Sequence, residues 1–449
     1  MDSTLNNKEM KRYIYILVCL FIFSCTPDKY EFLDNEIDTN SIKIIKLTSD
    51  SHIMVGDNKS EMNFRILAYG INKISEKYTE TIEGVTSYKE KLVLDTFLIP
   101  NDKYDNSKIH IMYKDNVLKG HNFKTNELGR HSFYAQLGNI KSKTVNIEVY
   151  EKPKTNYNEI VIPVIFHVIN QPSYSVPKMQ ITSKDLQKKI DVLNTIYNKR
   201  QTKNPNAGNA HITFKLALYS PNGNRLENPG INEYLFNSKK TPDEILEYAK
   251  EHLVWDCNKY FNIWLGDLSD GNTMYFGSEI KTLQVKAPNV ILKGETKIGG
   301  IESEEVESFN NSDIKKLSDV GIVFDKKVFL KPNANSSAQY SFAYNIGRYL
   351  GLLNMEFSEQ RDWSTQSMTN NLVDGDTDYC KDTPVYDNTD YSIYKTNINT
   401  KTIFTTFNIM ALYSKKNSIS IDQAKRIRDV LKKCPSRWAY KSNWALTGK

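Results

Sequence analysis

From about Ile42 to Tyr150 apolar and polar positions alternate in short runs divided by polar turns. Phe64–Ala68, Lys108–Met112, Ser132–Ala135 and Val145–Val149 each send every second side chain to one face, which predicts strands of a two-layered β-structure. Glu151 to Asn158 is a polar, proline-containing stretch that reads as a linker. Beyond it the period changes. Leu186, Ile190, Leu193 and Tyr197 recur at helical spacing between Gln180 and Asn198, with Thr182 or Ser183 as the cap. Thr241-Pro242-Asp243-Glu244 is a capping box with proline at the first helical position, opening a helix expected to reach about Tyr260. His211–Tyr219, Phe261–Leu265 and Gly321–Phe324 read as strands. A last helix, Ile421 to Cys434, is opened by Ser420-x-x-Gln423, turns Ala424, Ile427, Val430 and Leu431 inward and is stopped by Pro435. Strands followed by mixed elements predict an α+β chain.

The strand count and turn spacing of residues 41–151 predict an immunoglobulin-like β-sandwich without the paired cysteines of antibody domains. One helical segment in the second part carries unusual chemistry. From Ser341 to Met355 the chain reads S-F-A-Y-N-I-G-R-Y-L-G-L-L-N-M. A helical projection gathers Phe342, Ile346, Tyr349 and Leu350 on one face and Tyr344, Asn345 and Arg348 on the other, with Gly351 as the stop.

That frame resembles H-E-x-x-H-x-x-G-x-x-H of the metzincin proteases, where three histidines hold zinc and the glutamate deprotonates the bound water. Gly347, Tyr349, Leu350, Gly351, Leu352 and Leu353 are similar to the G-H-Y-L-G-L-L-H stretch of pappalysin-type members. The ligand positions, however, are Tyr344, Arg348 and Asn354, and the general-base position is Asn345. Three further stretches resemble the same family. Residues 160–170, I-V-I-P-V-I-F-H-V-I-N, look like its opening strand. Thr406–Tyr413 looks like its Met-turn, with Met410 as the residue beneath the metal, and Tyr379–Tyr386 resembles its cysteine-aspartate-threonine-proline segment. The resemblance covers about residues 158 to 440 and implies a metzincin-like (zincin) α/β catalytic-type domain over 158–449. The group most resembled is that of zinc-dependent metalloproteinase lipoproteins. It also implies a Cys380–Cys434 disulfide, since those segments come close in pappalysin-like folds.

The side chains at those positions change what the resemblance implies for activity. Arginine stays protonated and offers only donors, and asparagine and tyrosine are poor zinc ligands. All seven histidines precede residue 253, and none forms an H-x3-H pair. No zinc cofactor is therefore expected, although active relatives use one. Asp374, Asp376 and Asp378 alternate as in hard-cation loops and read either as a calcium site or as a solvated acidic turn; Tyr379 and Val385 stand where an EF-hand has glycine and glutamate.

The net charge of +6 is spread over mixed residues with no basic block, so nucleic acid is not an expected partner. Lys11 and Arg12 precede a run from Tyr13 to Ser24 too short to span a bilayer, and Cys25 follows F-I-F-S as in a lipobox. Residues 1–24 are therefore expected to be a lipoprotein signal peptide. Lipidated Cys25 would anchor the protein to a bacterial envelope membrane, at the outer membrane or cell surface, with residues 25–40 as a tether. The leading expectation is a catalytically inactive pseudoprotease that binds peptide, protein or glycan at the envelope. The alternatives are an active zinc-dependent metalloendopeptidase, which would have to replace a general base worth ~10²–10⁴ in rate, and a structural envelope component.

Overall fold

The structure, a computed structural model, describes residues 41–82, 85–172, 180–268, 289–330, 337–357, 359–361, 368–370, 378–387, 393–411 and 416–449. They fall into two compact units, residues 41–42 with 70–106 and residues 43–69 with 107–449. The larger unit opens with β1 (Ile44–Ser49), β2 (Ile53–Val55) and the first part of β3 (Met62–Ile82). β1 runs antiparallel to β3, with Ile44 opposite Tyr69 and Ser49 opposite Phe64. In the smaller unit β3 continues from Gly70 as a hairpin with β4 (Val85–Ile99), carrying Lys91–Glu76 and Lys77–Glu90 ion pairs at 3.1 and 3.7 Å.

A second sheet in the larger unit contains β2, β5 (His110–Tyr113), β6 (Gly129–Leu137) and β7 (Val145–Tyr150), ordered β2-β7-β6-β5. Alternation does its predicted work here: β7 is buried at Val145, Ile147 and Val149 and open between them. The two layers meet at Phe64 and Phe133, whose ring centroids lie 4.6 Å apart.

β8 (Ile160–Asn170) is apolar nearly throughout and is buried on both faces, as a central parallel strand must be. β9 (Ile212–Leu216) and β10 (Ile231–Leu235) flank its two halves on one side, β11 (Phe261–Gly266) lies on the other, and β12 (Gly321–Asp325) pairs with β11, all parallel. Helix α1 (Ser183–Tyr197) closes a Thr182–Asp185 capping box and buries Leu186, Ile190, Leu193 and Tyr197. Helix α2 (Pro242–His252) keeps the Thr241–Glu244 box but ends well before Tyr260. Asp256 Oδ1 accepts from Asn258 N in a local turn, and Asn262 bonds both backbone groups of Trp255, so residues 253–260 fold back as a loop.

Two short helices follow β12, α3 (Lys326–Leu330) and α4 (Ser337–Tyr349). Near the end of the chain β13 (Lys395–Thr396) and β14 (Ile403–Phe404) return to the first sheet, where β14 lies parallel to β1 with Ser49 opposite Phe404. That sheet therefore differs from a self-contained sandwich of residues 41–151. Helix α5 (Ile421–Lys433) has the predicted Ser420–Gln423 box and buries Ala424, Ile427, Val430 and Leu431.

Candidate functional site

Helix α4 presents the site. Of residues 342–355, only Tyr344, Arg348 and Asn354 reach solvent; every other one is buried. These are the three positions at which the metzincin frame has its ligands. The Tyr344 hydroxyl donates to Asn354 Oδ1 at 2.6 Å, so a side chain from the helix and one from beyond the glycine turn meet at one point. Arg348 Nη1 donates weakly to Leu352 O at 3.4 Å. Asn345 is a correction: projection puts it on the open face, yet it is 5% exposed and so is enclosed by packing.

The turn between the two meeting side chains depends on Gly351, whose φ of +86° favours glycine. A Cβ there would also stand 2.5 Å from Val430 Cγ2. Gly351→Ala is expected to lower the unfolding free energy by about 1–3 kcal/mol. An unchanged urea midpoint would count against the steric argument.

Beneath the helix, Met410 is fully buried, and a Cβ on Gly347 would lie 2.8 Å from its sulfur. The turn that carries Met410 is fixed by Asn408, whose Oδ1 accepts from Met410 N at 2.9 Å while its Nδ2 donates to Gln423 Oε1 at 2.8 Å. Gln423 belongs to the capping box of α5, so that helix holds the turn in place. The 379–386 segment docks at the same helix end. Asp382 accepts from Ser420 Oγ at 2.6 Å, Asp422 N at 2.9 Å and Asn206 Nδ2 at 3.0 Å. Burial pushes its carboxyl above the usual range despite these bonds. The helix segment, the turn at Met410 and this segment are thus brought together around α5.

Two arginines that carried no sequence signal organise the far end of α4. Buried Arg437 lies 3.7 Å over the Tyr349 ring, donates to Tyr349 O at 2.8 Å, and also bonds Asp319 O and Ser436 Oγ. Tyr349 in turn stacks on Phe261 of β11, with centroids 4.2 Å apart. Arg426 Nε donates to Gly351 O at 2.6 Å. On the other flank, Tyr197 of α1 donates to Ala343 O at 2.8 Å.

The expected Cys380–Cys434 disulfide is not present, and both residues are buried free thiols. Lys381 N bonds Asp422 Oδ2 at the start of α5, whereas Cys434 caps its end among Ile291, Ile298, Ile301 and Val430. A helix of that length separates its ends by roughly 20 Å, far beyond the ~7 Å Cα limit of a disulfide. Asp374, Asp376 and Cys25 lie outside the described residues. Asp378 is buried, accepting from Thr383 Oγ1 at 2.6 Å and Cys380 N at 3.0 Å, and burial pushes its carboxyl up to about 7. It is a bonded core residue rather than part of a solvated acidic turn.

His167 is likewise structural. Its Nδ1 faces Asn232 Nδ2 and its Nε2 faces Asn262 Oδ1, both at 2.9 Å, and complete burial lowers its pKa to about 4. Zinc requires several lone-pair ligands at about 2.0–2.3 Å. Here the Tyr344 hydrogen points at Asn354 and the remaining position is a guanidinium, so the residues present do not fit that ion. Among the described residues no group of three or more histidine, cysteine, aspartate or glutamate side chains is placed to hold a metal.

No protein-family model matches the chain, and no curated protein matches it either. Among solved structures it is similar to mature mirolysin of Tannerella forsythia in complex with a cleaved peptide, at 21% identity and a TM-score of 0.44, over 65% of this chain and 99% of that one. It is also similar to mirolysin in complex with compound 9, at 20% identity and a TM-score of 0.42, over 65% and 98% of the two chains.

Proposed function

We propose that this protein is a non-catalytic relative of the metzincin proteases that binds a peptide at the cell envelope. One observation carries the reading. Tyr344 and Asn354, two of the side chains at the ligand positions, meet at a partly exposed point with Arg348 one helical turn from Tyr344, while the helix that carries Tyr344 and Arg348 packs over a buried methionine. A cleft can go on binding after its metal chemistry is lost, because peptide recognition by strand addition and side-chain pockets needs no metal. In this reading residues 1–24 are a signal peptide, Cys25 carries the lipid and 25–40 form the tether. Residues 41–151 form a sandwich domain and 158–449 the metzincin-like domain.

Metal analysis of the purified full chain, beside a hydrolysis assay on a broad peptide library, tests this. Zinc far below one ion per chain, with no cleavage, is expected. One zinc per chain with chelator-sensitive cleavage would replace this reading with an active endopeptidase.

A further inference from the structure

We infer that a cavity at the carboxyl end of β8 binds a neutral sugar residue. None of the residues lining it belongs to helix α4, the Gly351 turn or the turn at Met410. The sheet sets its position. From β8 the chain passes through α1 to β9 and β10 on one side, and it later forms β11 on the other. In an open parallel sheet such a reversal leaves a crevice beyond the carboxyl ends of the strands, and ligands bind in it. A cavity of about 110 Å³ lies at that place, between the ends of β8 and β10 and the start of α1. One water needs only ~10–15 Å³, so there is room for a small ring.

The lining selects the chemistry. Val168 and Asn170 are its buried residues, Ile231 is half-buried, and Gln180, Asn228 and Glu233 are exposed. Asn170 is fixed from behind, because buried Lys326 donates to its Oδ1 at 3.0 Å and pairs with Asp267 at 3.1 Å. Its Nδ2 donates to Glu233 Oε1 at 2.7 Å and has a second N–H. Among the described residues the side chains of Gln180 and Asn228 have no hydrogen-bond partner. Each amide presents N–H donors and a carbonyl acceptor side by side. Two neighbouring hydroxyls of a sugar, each both donor and acceptor, match such an amide, and the C–H face of the ring covers Val168 and Ile231. A peptide unit points its N–H and C=O in opposite directions and cannot make that paired contact. An anion is disfavoured, since the Asp185 carboxylate already closes the capping box at the start of α1 and the charged side chain on the lining is Glu233.

Saturation-transfer NMR on the full chain tests the inference, with glucose, galactose, mannose and N-acetylglucosamine as neutral probes, glucuronate as the charged one and the amidated tripeptide Gly-Asn-Gly as the peptide control. At least one neutral sugar is expected to bind with a dissociation constant on the order of 1 mM, and glucuronate more weakly. Gln180→Ala and Asn228→Ala should each weaken the sugar ~3–10-fold, and together ~10–100-fold. Thermal unfolding should be unaltered in both, because neither side chain bonds another group of the protein. Transfer to none of the four sugars, or sugar binding that survives the double variant, would overturn the inference. Tripeptide binding as tight as the sugar's and lost in the double variant would overturn it in favour of a polar peptide side chain.

Discussion

Replacing Arg437 by methionine is expected to lower the unfolding free energy by about 3–5 kcal/mol, a large share of the stability of a typical domain. Arg437 is 2% exposed as a residue, so its bonds are made largely away from bulk water. Methionine keeps much of the apolar stem but leaves Tyr349 O and Asp319 O without this donor, at about 1–3 kcal/mol for each carbonyl that stays buried. The stacking on Tyr349 is lost too, which contributes about 2 kcal/mol for a desolvated cation over an aromatic face. Arg437→Lys should recover only part, because an ammonium cannot lie flat on the ring and reach two separated carbonyls together. Urea unfolding of the full chain with matched m-values measures both variants. A loss under about 1 kcal/mol for the methionine variant would mean that water reaches these carbonyls and that Arg437 does not brace α4.

Local patterns in the sequence predicted local structure well, and their failures share a cause. The boxes at Thr182, Thr241 and Ser420 are each written within four residues, and all three form. The apolar run of Ile160–Asn170 needs both faces covered and becomes the centre of a parallel sheet. Asn345, by contrast, is one helical step from Tyr344, and only tertiary packing decides which of the two is enclosed. Arg426 and Arg437 read as ordinary basic residues near a helix end; their carbonyl partners lie 75 and 88 residues earlier. The pairing of β14 with β1 and the separation of Cys380 from Cys434 are likewise set by long-range packing. For the site, the sequence named the residues at 344, 348 and 354, and the structure supplied the contact between Tyr344 and Asn354 across the Gly351 turn.

Installing histidine at the three ligand positions, as Y344H/R348H/N354H, is expected to give a protein that retains one zinc ion per chain through dialysis and loses it to chelator. Geometry is the reason. Tyr344 and Asn354 already touch across the Gly351 turn at 2.6 Å, so side chains from these positions reach a common point. Residue 348 follows 344 by one helical turn, which sets two imidazoles on one face. Met410 already fills the floor against Gly347. Zinc at a hundredfold excess over its dissociation constant should then stabilise the variant by about 2.7 kcal/mol and leave the natural chain unchanged. Hydrolysis is a separate matter, because residue 345 is enclosed and a base must reach the bound water. The decisive comparison is therefore zinc content and the zinc-dependent shift in thermal unfolding, beside a circular dichroism spectrum that matches the natural protein. A folded triple variant without zinc would mean that the three positions do not converge closely enough for a metal, and the likeness of residues 344–354 to a metal-binding frame would then be one of spacing alone.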